Sequence, residues 1–519
     1  MHAVENVVTT LFFGNGNERS LRFQICVCVL RRLRKFSKST AKARFPPISL
    51  SPMEGDAGIL NAFELHYSDL VLLSSSSSSP STSVASQERL DSISRTVVET
   101  LGPGGHGLLA VIGVPNAGEN SRKLLSFARK LALVEDDKRR RILKDHGLGT
   151  DVPLKSPDRN VSAFAMQLKY SSLKLNSEGL NKEAAKFRTD HPVAVQTSDS
   201  VEDEFDMLGD AFKQLGFCMM QLGLLLAKVC DKAFGGNELE CSILESCAAK
   251  GRLIHYHSSW DRLILKEVVK LKTKIEALFV PKQGEKIRRY GGGNGDTAVR
   301  TALKGESTRV IESGATSCET PVPSLWQQWH YDYGIFTVLT TPIFSLQNEK
   351  LVKERNEVKL DGHTSECYLL DGHTCLQILD PVSRKILFVR APPESFIIQV
   401  GEAAEILSNG KLCSTIHSVS RPVERTNSSR ETFVVFLQPA WNKTLSVSGL
   451  PVATCTREID SDHGIDKVDD EVNSLAYEIQ IMVPPLSARL KEGMTFADFS
   501  RVTTKQYYGG NGLQSNVKS

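Results

Sequence analysis

The spacing of apolar residues predicts one long helix near the middle of the chain. Between residues 206 and 235 these positions recur at steps of four and three, the period of a helix with one apolar face. The positions are Leu208, Phe212, Leu215, Met219, Leu222, Leu226 and Val229. Phe234-Gly235-Gly236 supplies a C-terminal stop, because glycine readily adopts the left-handed conformation that ends helices. We expect this helix to pack on the protein core rather than to form a dimer seam.

Short apolar runs further along the chain predict buried strands. They have the length and the β-branched or aromatic content typical of strands, and they span residues 335–339, 396–400 and 433–437. The segment 406–412 contains Asn409-Gly410, the strongest short-range signal for a hairpin. We therefore expect a β-hairpin there, close to the last of these strands.

A histidine and a carboxylate stand two positions apart directly before the first apolar run. They are His330 and Asp332. On a strand, residues i and i+2 share one face, so both side chains can bind the same metal. Fe(II) accepts imidazole and carboxylate ligands and leaves positions open for other molecules. The pair is therefore half of a candidate iron site.

The remaining candidate residues follow the predicted hairpin. His417 can bring a second imidazole from another strand, and Arg430 and Thr432 share a strand face. A guanidinium carries paired donors that match both oxygens of a carboxylate, and the hydroxyl adds a further donor. Two histidines, one carboxylate and a trailing arginine suggest non-haem Fe(II) chemistry with an oxo-acid cosubstrate.

Each of these features has a simpler explanation when it is taken alone. A lone His-x-Asp is usually a surface pair, and a loop histidine is usually solvated. An arginine beside a buried strand often extends its stem along the edge. Their order along the chain favours a site. The His-x-Asp pair and its strand come first, and the second apolar strand, Asn-Gly, His417 and Arg-x-Thr follow in turn.

With these motifs the chain resembles the plant-type 2-oxoglutarate and Fe(II)-dependent oxygenases, the isopenicillin N synthase-like family. The resemblance extends beyond the candidate ligands and covers about residues 60 to 440, with gaps. Residues 376–380 and 391–402 are similar to the paired core strands of the family, and residues 405–419 to its hairpin and distal histidine. Residues 107–115 and 124–131 resemble its N-terminal strand and helix.

The resemblance implies an α+β fold with a double-stranded β-helix (jelly-roll) core flanked by helices. It implies that His330, Asp332 and His417 bind iron, and that Arg430 and Thr432 bind the far carboxylate of 2-oxoglutarate. In the segment 253–258, His257 stands where the family's Asn-x-Tyr element has its tyrosine. His257 is therefore expected to contact 2-oxoglutarate, with Tyr256 as the alternative through a register shift.

The activity that the resemblance implies is hydroxylation or desaturation of a small organic substrate in plant specialised metabolism. Dioxygen is consumed, succinate and CO2 are released, and ascorbate is an optional further cofactor. One alternative is a non-catalytic binding or scaffold protein on the same fold. The other is an iron oxidase that does not use 2-oxoglutarate, in which Arg430 and Thr432 would hold the substrate.

The chain also departs from the family pattern. His417 follows Asp332 by 85 residues, which indicates an insertion, placed at residues 348–371. The sequence Asp-Gly-His-Thr occurs twice there, starting at residues 361 and 371, and a polar loop is favoured over an extra metal site. The glycines at 291–293 lack a preceding strand and a following Gly-Lys-Ser/Thr, so they predict a surface insertion rather than a phosphate loop.

Composition is that of an ordinary globular enzyme. Of the 519 residues, 40% are hydrophobic and 24% charged, which is close to globular averages. No apolar run approaches the roughly 20 residues that cross a bilayer. The 11 cysteines form no paired Cys-x-x-Cys framework, which argues against structural zinc and favours a reducing compartment. A cytoplasmic monomer without a membrane partner is expected.

The positive net charge comes from an N-terminal arm. Residues 19–52 hold nine Lys or Arg and no acid, and without residues 1–52 the chain has 54 basic and 58 acidic residues. That balance offers no broad basic surface for nucleic acid. An upstream extension before Met53 is favoured over an organelle transit peptide, although the basic composition fits both.

Five regions are predicted along the chain. They are a basic arm (1–52), an N-terminal oxygenase region with helices and first strands (53–260), a flexible insertion (261–322), the Fe(II)/2-oxoglutarate jelly-roll core (323–445) and a C-terminal extension with a docking helix (446–519). A lid role is left open for the insertion, because it directly precedes the metal strand.

Overall fold

The computed structural model describes residues 58–75, 84–154, 156, 158–170, 203–279, 325–347, 364–367, 372–422, 427–450, 479 and 482–508. The basic arm, the glycine-rich part of the predicted insertion and the first Asp-Gly-His of the repeat lie outside these residues. None of the described helices is both long enough and apolar enough to cross a membrane.

Fifteen strands and nine helices lie within the described residues. The strands are β1 (Gly58–Asn61), β2 (Glu64–His66), β3 (Leu108–Ile112), β4 (Gly149–Thr150), β5 (Val161–Lys169), β6 (Ala248–Tyr256), β7 (Leu325–His330), β8 (Phe336–Thr340), β9 (Ile343–Gln347), β10 (Thr364–Cys367), β11 (His373–Leu379), β12 (Ile386–Arg390), β13 (Phe396–Val400), β14 (His417–Ser420) and β15 (Ser428–Leu437). The helices are α1 (Tyr67–Ser74), α2 (Val84–Leu101), α3 (Ala117–Leu133), α4 (Asp136–Asp145), α5 (Leu208–Phe234), α6 (Glu238–Ser246), α7 (Ser259–Phe279), α8 (Glu402–Leu407) and α9 (Phe496–Tyr508).

The strands form two sheets. The smaller sheet has the order β1-β12-β11-β14-β7, and the larger has the order β2-β3-β13-β8-β15-β6-β5-β4, with β9 and β10 attached beside β15. Two N-terminal strands complete the sheets, since β1 pairs in parallel with β12 and β3 pairs antiparallel with β13. Both sheets therefore combine strands from the predicted N-terminal region with strands from the predicted core region.

Side chains alternate between the two faces of the larger sheet, and each face packs in a different hydrophobic core. On β15, Phe433, Val435 and Leu437 pack against the helical layer, while Val434 faces the smaller sheet. Helix α5 supplies much of the helical layer, and Gly235 ends it in the left-handed conformation at φ 74°. Two facing sheets with helices outside confirm the predicted α+β jelly-roll fold. The predicted helix at residues 206–235 is confirmed as well.

One predicted element is wrong. Residues 402–407 form helix α8 and not a strand of a hairpin, and Asn409 and Gly410 end it with φ values of 54° and 75°. The amide of Gly410 donates to the carbonyl of Glu405 at 2.8 Å, as in a helix C-cap. Asn-Gly suits both a tight hairpin and a helix end, because both require positive φ.

Residues 261–279 of the segment predicted as a flexible insertion are helical, because they belong to α7. The helix predicted in the C-terminal extension is present as α9. Phe496 and Phe499 of α9 join the helical core, and Tyr507 joins a third apolar cluster beside β7.

Candidate metal and oxo-acid site

The loop that carries Asp332 is held by the start of helix α8. Backbone amides at that start donate to carbonyls of the loop: Gly401 to Ile335 at 2.9 Å, Glu402 to Asp332 at 2.8 Å and Ala403 to Gly334 at 3.0 Å. The first amides of a helix have no partner within the helix, so they are available for such contacts. The helix that replaced the predicted hairpin therefore fixes the backbone of the candidate carboxylate ligand.

The structure brings the three predicted metal ligands together. His330 and His417 are directly paired across β7 and β14, and their ring centroids lie 4.3 Å apart. The two carboxylate oxygens of Asp332 lie 3.8 Å from Nε2 of His330 and 3.7 Å from Nε2 of His417. One donor atom from each residue lies within 4.8 Å of the other two. Three converging donors of this kind fit a divalent metal with open positions.

Hydrogen bonds to the backbone set the tautomer of both imidazoles. Nδ1 of His330 contacts the carbonyl of Gln328 at 2.8 Å, and Nδ1 of His417 contacts the carbonyl of Thr415 at 3.0 Å. A carbonyl only accepts, so each Nδ1 carries a proton and Nε2 is the atom left to bind a metal. Such partners orient histidine ligands in metal sites.

The protonation state of His330 also suits a ligand. Burial, together with the neighbouring His417, lowers the pKa of His330 to about 4. The imidazole is therefore neutral near pH 7 and its lone pair is available to a metal.

Arg430 lies on the inner face of β15 and is almost fully buried. Its Nε donates to the carbonyl of Thr374 at 2.9 Å. No acceptor among the described residues reaches its Nη1, although that atom is buried. Burial lowers the pKa of the guanidinium. A buried charged donor without an acceptor is costly, so this group fits an anionic ligand.

Tyr256 and Thr432 lie beside Arg430. Tyr256 is directly paired with Arg430 across β6 and β15, and the guanidinium carbon lies 5.0 Å from the centre of its ring. Burial raises the pKa of the phenol, which therefore keeps its proton. The hydroxyl of Thr432 donates to the carbonyl of Thr340 at 3.2 Å. The guanidinium, the phenol and the hydroxyl lie together between the sheets, and we call this group the cradle.

Gln327 connects the cradle to the metal ligands. Its side-chain nitrogen lies 2.9 Å from Nε2 of His330, and its oxygen accepts from the hydroxyl of Tyr256 at 3.0 Å. The two halves of the candidate site therefore belong to one hydrogen-bonded array.

His257 lies in a different environment from the one predicted. Its Nε2 contacts the hydroxyl of Ser162 at 2.8 Å, and its ring centroid lies 4.4 Å from that of His255. Tyr256, the neighbouring residue, is the one that meets Arg430. The structure thus brings together His330, Asp332 and His417, and places Thr432 with Arg430, but the described contacts of His257 lead elsewhere.

His255, His257 and Asp261 form a second cluster of residues able to bind a metal. Arg129 already pairs with Asp261 at 2.8 Å, and Nδ1 of His255 contacts Glu431 at 2.8 Å. Burial alone would lower the pKa of His255, but its hydrogen bonds with Asp261 and Glu431 raise it. The charges balance when His255 is protonated, so we interpret the cluster as a buried ion-pair network.

Residues 361–439 match the family described as the 2OG-Fe(II) oxygenase superfamily. This segment belongs to the 2OG-Fe(II) oxygenase superfamily. It contains His417, Arg430 and Thr432, whereas His330 and Asp332 precede it and join it through the pairing of β7 with β14. The family assignment confirms the predicted enzyme class and its cofactors, Fe(II) and 2-oxoglutarate.

Several solved structures resemble this chain at low sequence identity. A full-length Neurospora crassa protein in complex with alpha-KG is 14% identical at a TM-score of 0.38, covering 82% of this chain and 100% of that one. The dioxygenase for auxin oxidation in rice is 16% identical at 0.39, covering 84% and 98%. Dioxygenase for auxin oxidation 1 from Arabidopsis thaliana is 15% identical at 0.35, covering 78% and 100%. No curated protein matches the chain. These likenesses are distant, and the match over residues 361–439 decides the assignment.

The residues of this site fit both cofactors. Two imidazoles and one carboxylate are the ligand types that Fe(II) accepts. The unpartnered Nη1 of Arg430 is suited to the carboxylate of an oxo acid. Sequence reasoning missed Gln327 altogether, because its approach to His330 depends on strand pairing that the sequence pattern does not reveal.

Proposed function

We propose that this chain is an Fe(II)- and 2-oxoglutarate-dependent oxygenase that hydroxylates or desaturates a small organic substrate. The observation that carries the proposal is the array from His330 through Gln327 and Tyr256 to Arg430. A preorganised metal triad and a buried arginine, whose Nη1 has no acceptor among the described residues, lie at its two ends. An oxo acid with carboxylates at both ends matches this arrangement.

Each residue has a defined task in this proposal. His330, Asp332 and His417 would hold Fe(II), while Arg430 and Thr432 would hold the far carboxylate of 2-oxoglutarate. We assign the third contact to Tyr256 in preference to His257, because the phenol lies against the guanidinium of Arg430. When bound, Fe(II) and 2-oxoglutarate supply an oxidant from dioxygen, with succinate and CO2 as products. The chain itself orients these molecules and excludes water from the charged cradle.

The C-terminal segment supplies one wall beside the metal residues. The ring of Tyr507 lies 6.5 Å from that of His330, and its hydroxyl accepts from the amide of Tyr331 at 3.4 Å. We propose that α9 borders the substrate pocket through Tyr507. The monomeric state, the cytoplasmic location and the optional ascorbate stay predictions from the sequence.

Anaerobic Fe(II) titration followed by an oxygen-dependent succinate assay tests the function. We expect one Fe(II) per chain and succinate release that needs 2-oxoglutarate. Failure to bind Fe(II) would favour a non-catalytic scaffold. Fe(II) binding with oxygen uptake but without succinate, over a panel of candidate substrates, would favour an oxidase.

Substitutions separate the two halves of the site. Asp332→Ala should abolish Fe(II) binding, whereas Arg430→Leu should leave Fe(II) affinity unchanged and weaken 2-oxoglutarate by about a hundredfold, since a paired charge is lost. His106→Ala changes a histidine at a partly exposed position that pairs with Asp380, and it serves as the control. Equal loss of Fe(II) affinity in the Arg430 variant would contradict the division.

A further inference from the structure

Gln327 reaches the metal site because of an irregularity in β7. His417 pairs with His330 and Val419 pairs with Gln327, so three steps on β7 face two steps on β14. In a regular strand, residues three apart point to opposite faces. An extra residue in one strand re-aims the side chains that follow it. This bulge turns Gln327 to the same side as His330.

The orientation of the Gln327 amide follows from its two neighbours. Because Nδ1 of His330 carries the proton, Nε2 is an acceptor and must face the NH2 group of Gln327. The amide oxygen then faces Tyr256, which donates its phenol proton. Both ends of the amide are thus determined by hydrogen-bonding partners.

Metal binding changes the situation of this amide. The Nε2 lone pair that accepts from Gln327 at 2.9 Å is the one that would bind the metal. A lone pair cannot do both, so a loaded site leaves the Gln327 NH2 group without its acceptor. Gln327 is only partly buried, so its NH2 group then takes a new acceptor, which is either water or a bound ligand. The oxo-acid end of 2-oxoglutarate brings new oxygen acceptors to this place.

We propose that Gln327 contacts 2-oxoglutarate, donating through its NH2 group to the oxo-acid end while Tyr256 holds its amide oxygen. This inference rests on the proposed function and deepens it. The amide acts as a relay: in the metal-free site it covers His330, and in the loaded site it holds the cosubstrate near the metal. It also links the oxo-acid end to the cradle at Arg430 through Tyr256.

The test compares Gln327→Leu with Gln328→Leu in the full chain. Gln328 is the matched control, because its backbone carbonyl, and not its side chain, holds His330. Fe(II) affinity is measured first without cosubstrate. 2-Oxoglutarate is then titrated anaerobically into the Fe(II)-loaded protein and followed by the visible charge-transfer absorption of the complex.

The expected result differs between the two ligands. Gln327→Leu should weaken 2-oxoglutarate by about tenfold to a hundredfold, as loss of a hydrogen bond to a charged group implies. Fe(II) affinity should stay the same or rise, because the competing donor to His330 is gone. Gln327→Glu keeps the size of the side chain, removes the NH2 donor and adds a negative charge. It should weaken 2-oxoglutarate further while Fe(II) binds at least as tightly.

Three outcomes would overturn the proposal. One is wild-type affinity for 2-oxoglutarate in both Gln327 variants. Another is parallel loss of Fe(II) and 2-oxoglutarate affinity, which indicates a structural role. The third is an equal effect in Gln328→Leu. A wild-type protein that binds no 2-oxoglutarate would refute the proposed function itself, and with it this role.

Discussion

Among single residues, Glu405 carries a strongly perturbed carboxyl group close to the metal loop. It lies on α8, where one carboxylate oxygen accepts from the amide of Ser414 at 2.9 Å and also from the Ser414 hydroxyl. Burial raises the pKa of Glu405 from 4.5 to about 7. The folded chain therefore keeps a proton on this group at pH values where an unfolded chain has lost it.

This shift predicts a pH dependence of stability. Between pH 4.5 and 7 the folded state binds more protons at Glu405 than the unfolded state, so stability falls as pH rises. Glu405→Gln should remove this loss, which amounts to about 3 kcal/mol across the window. Urea unfolding of both proteins between pH 5 and 8 measures the difference. Glu119→Gln, at an exposed position, is the control, and parallel pH curves for wild type and Glu405→Gln would contradict the prediction.

Residue by residue, the sequence predicts the donors of the metal site better than their partners. His330 and Asp332 could be found because they directly precede an apolar run, and His417 because it follows Asn409-Gly410, although that pair ends a helix and not a hairpin. Gln327 could not be found in this way, since a bulge in β7 decides which way it points. The contact predicted for His257 is made by Tyr256 instead. The prediction missed this because a shift of one residue reverses the face of every side chain on a strand.

Among the elements, α5 carries glycines at a seven-residue interval where it meets its neighbours. They are Gly209, Gly216 and Gly223. A methyl group added at Gly216 would lie 2.5 Å from Cδ1 of Leu168, and one at Gly223 would lie 2.5 Å from Cδ1 of Leu437. The glycines thus let the helix approach β5 and β15 closely.

Alanine substitutions should reveal this close approach. Alanine normally favours a helix by about 1 kcal/mol over glycine. At Gly216 and Gly223 overpacking should outweigh that gain and destabilise the protein by about 1–3 kcal/mol. Gly209→Ala should cost less, because its added methyl would lie 3.1 Å from Nδ1 of His146. Denaturant midpoints of the three variants give the order, and stabilisation at Gly223 would refute it.

Helix α8, which ends at Asn409-Gly410, illustrates the limit of local sequence patterns. The long period of α5 spans many turns and predicts the helix unambiguously. Helix α8 has only six residues, too few to establish a helical period, while Asn-Gly serves hairpins and helix ends alike. Tertiary contacts with the Asp332 loop decide between them.

Across the whole molecule, a buried ion pair joins the C-terminal segment to the metal loop. Arg489 donates from Nη1 to Glu402 at 2.7 Å and contacts it again through Nη2. Burial alone would lower the pKa of Arg489, but Glu402 raises it. The amide of Glu402 also holds the carbonyl of Asp332, so the C-terminal segment is connected to a candidate ligand.

Breaking this pair should affect more than its own site. Arg489→Met would leave the buried charge of Glu402 unpaired, at a cost of about 3–5 kcal/mol. We expect a lower denaturant midpoint and faster proteolysis within residues 446–519. The double variant Glu402→Gln/Arg489→Met should recover part of the loss, since no lone charge stays buried. A single variant as stable as wild type would contradict this view.

The parallel pairing of β1 with β12 has a consequence for synthesis of the chain. Gly58 pairs with Leu387, about 330 residues later. At roughly 5–20 residues per second, the ribosome needs on the order of 15 to 65 s to deliver the partner strand. During that time the nascent N-terminal segment waits without its neighbour in the smaller sheet. Folding therefore finishes late in translation, and the strand stays open to aberrant pairing until β12 has been made.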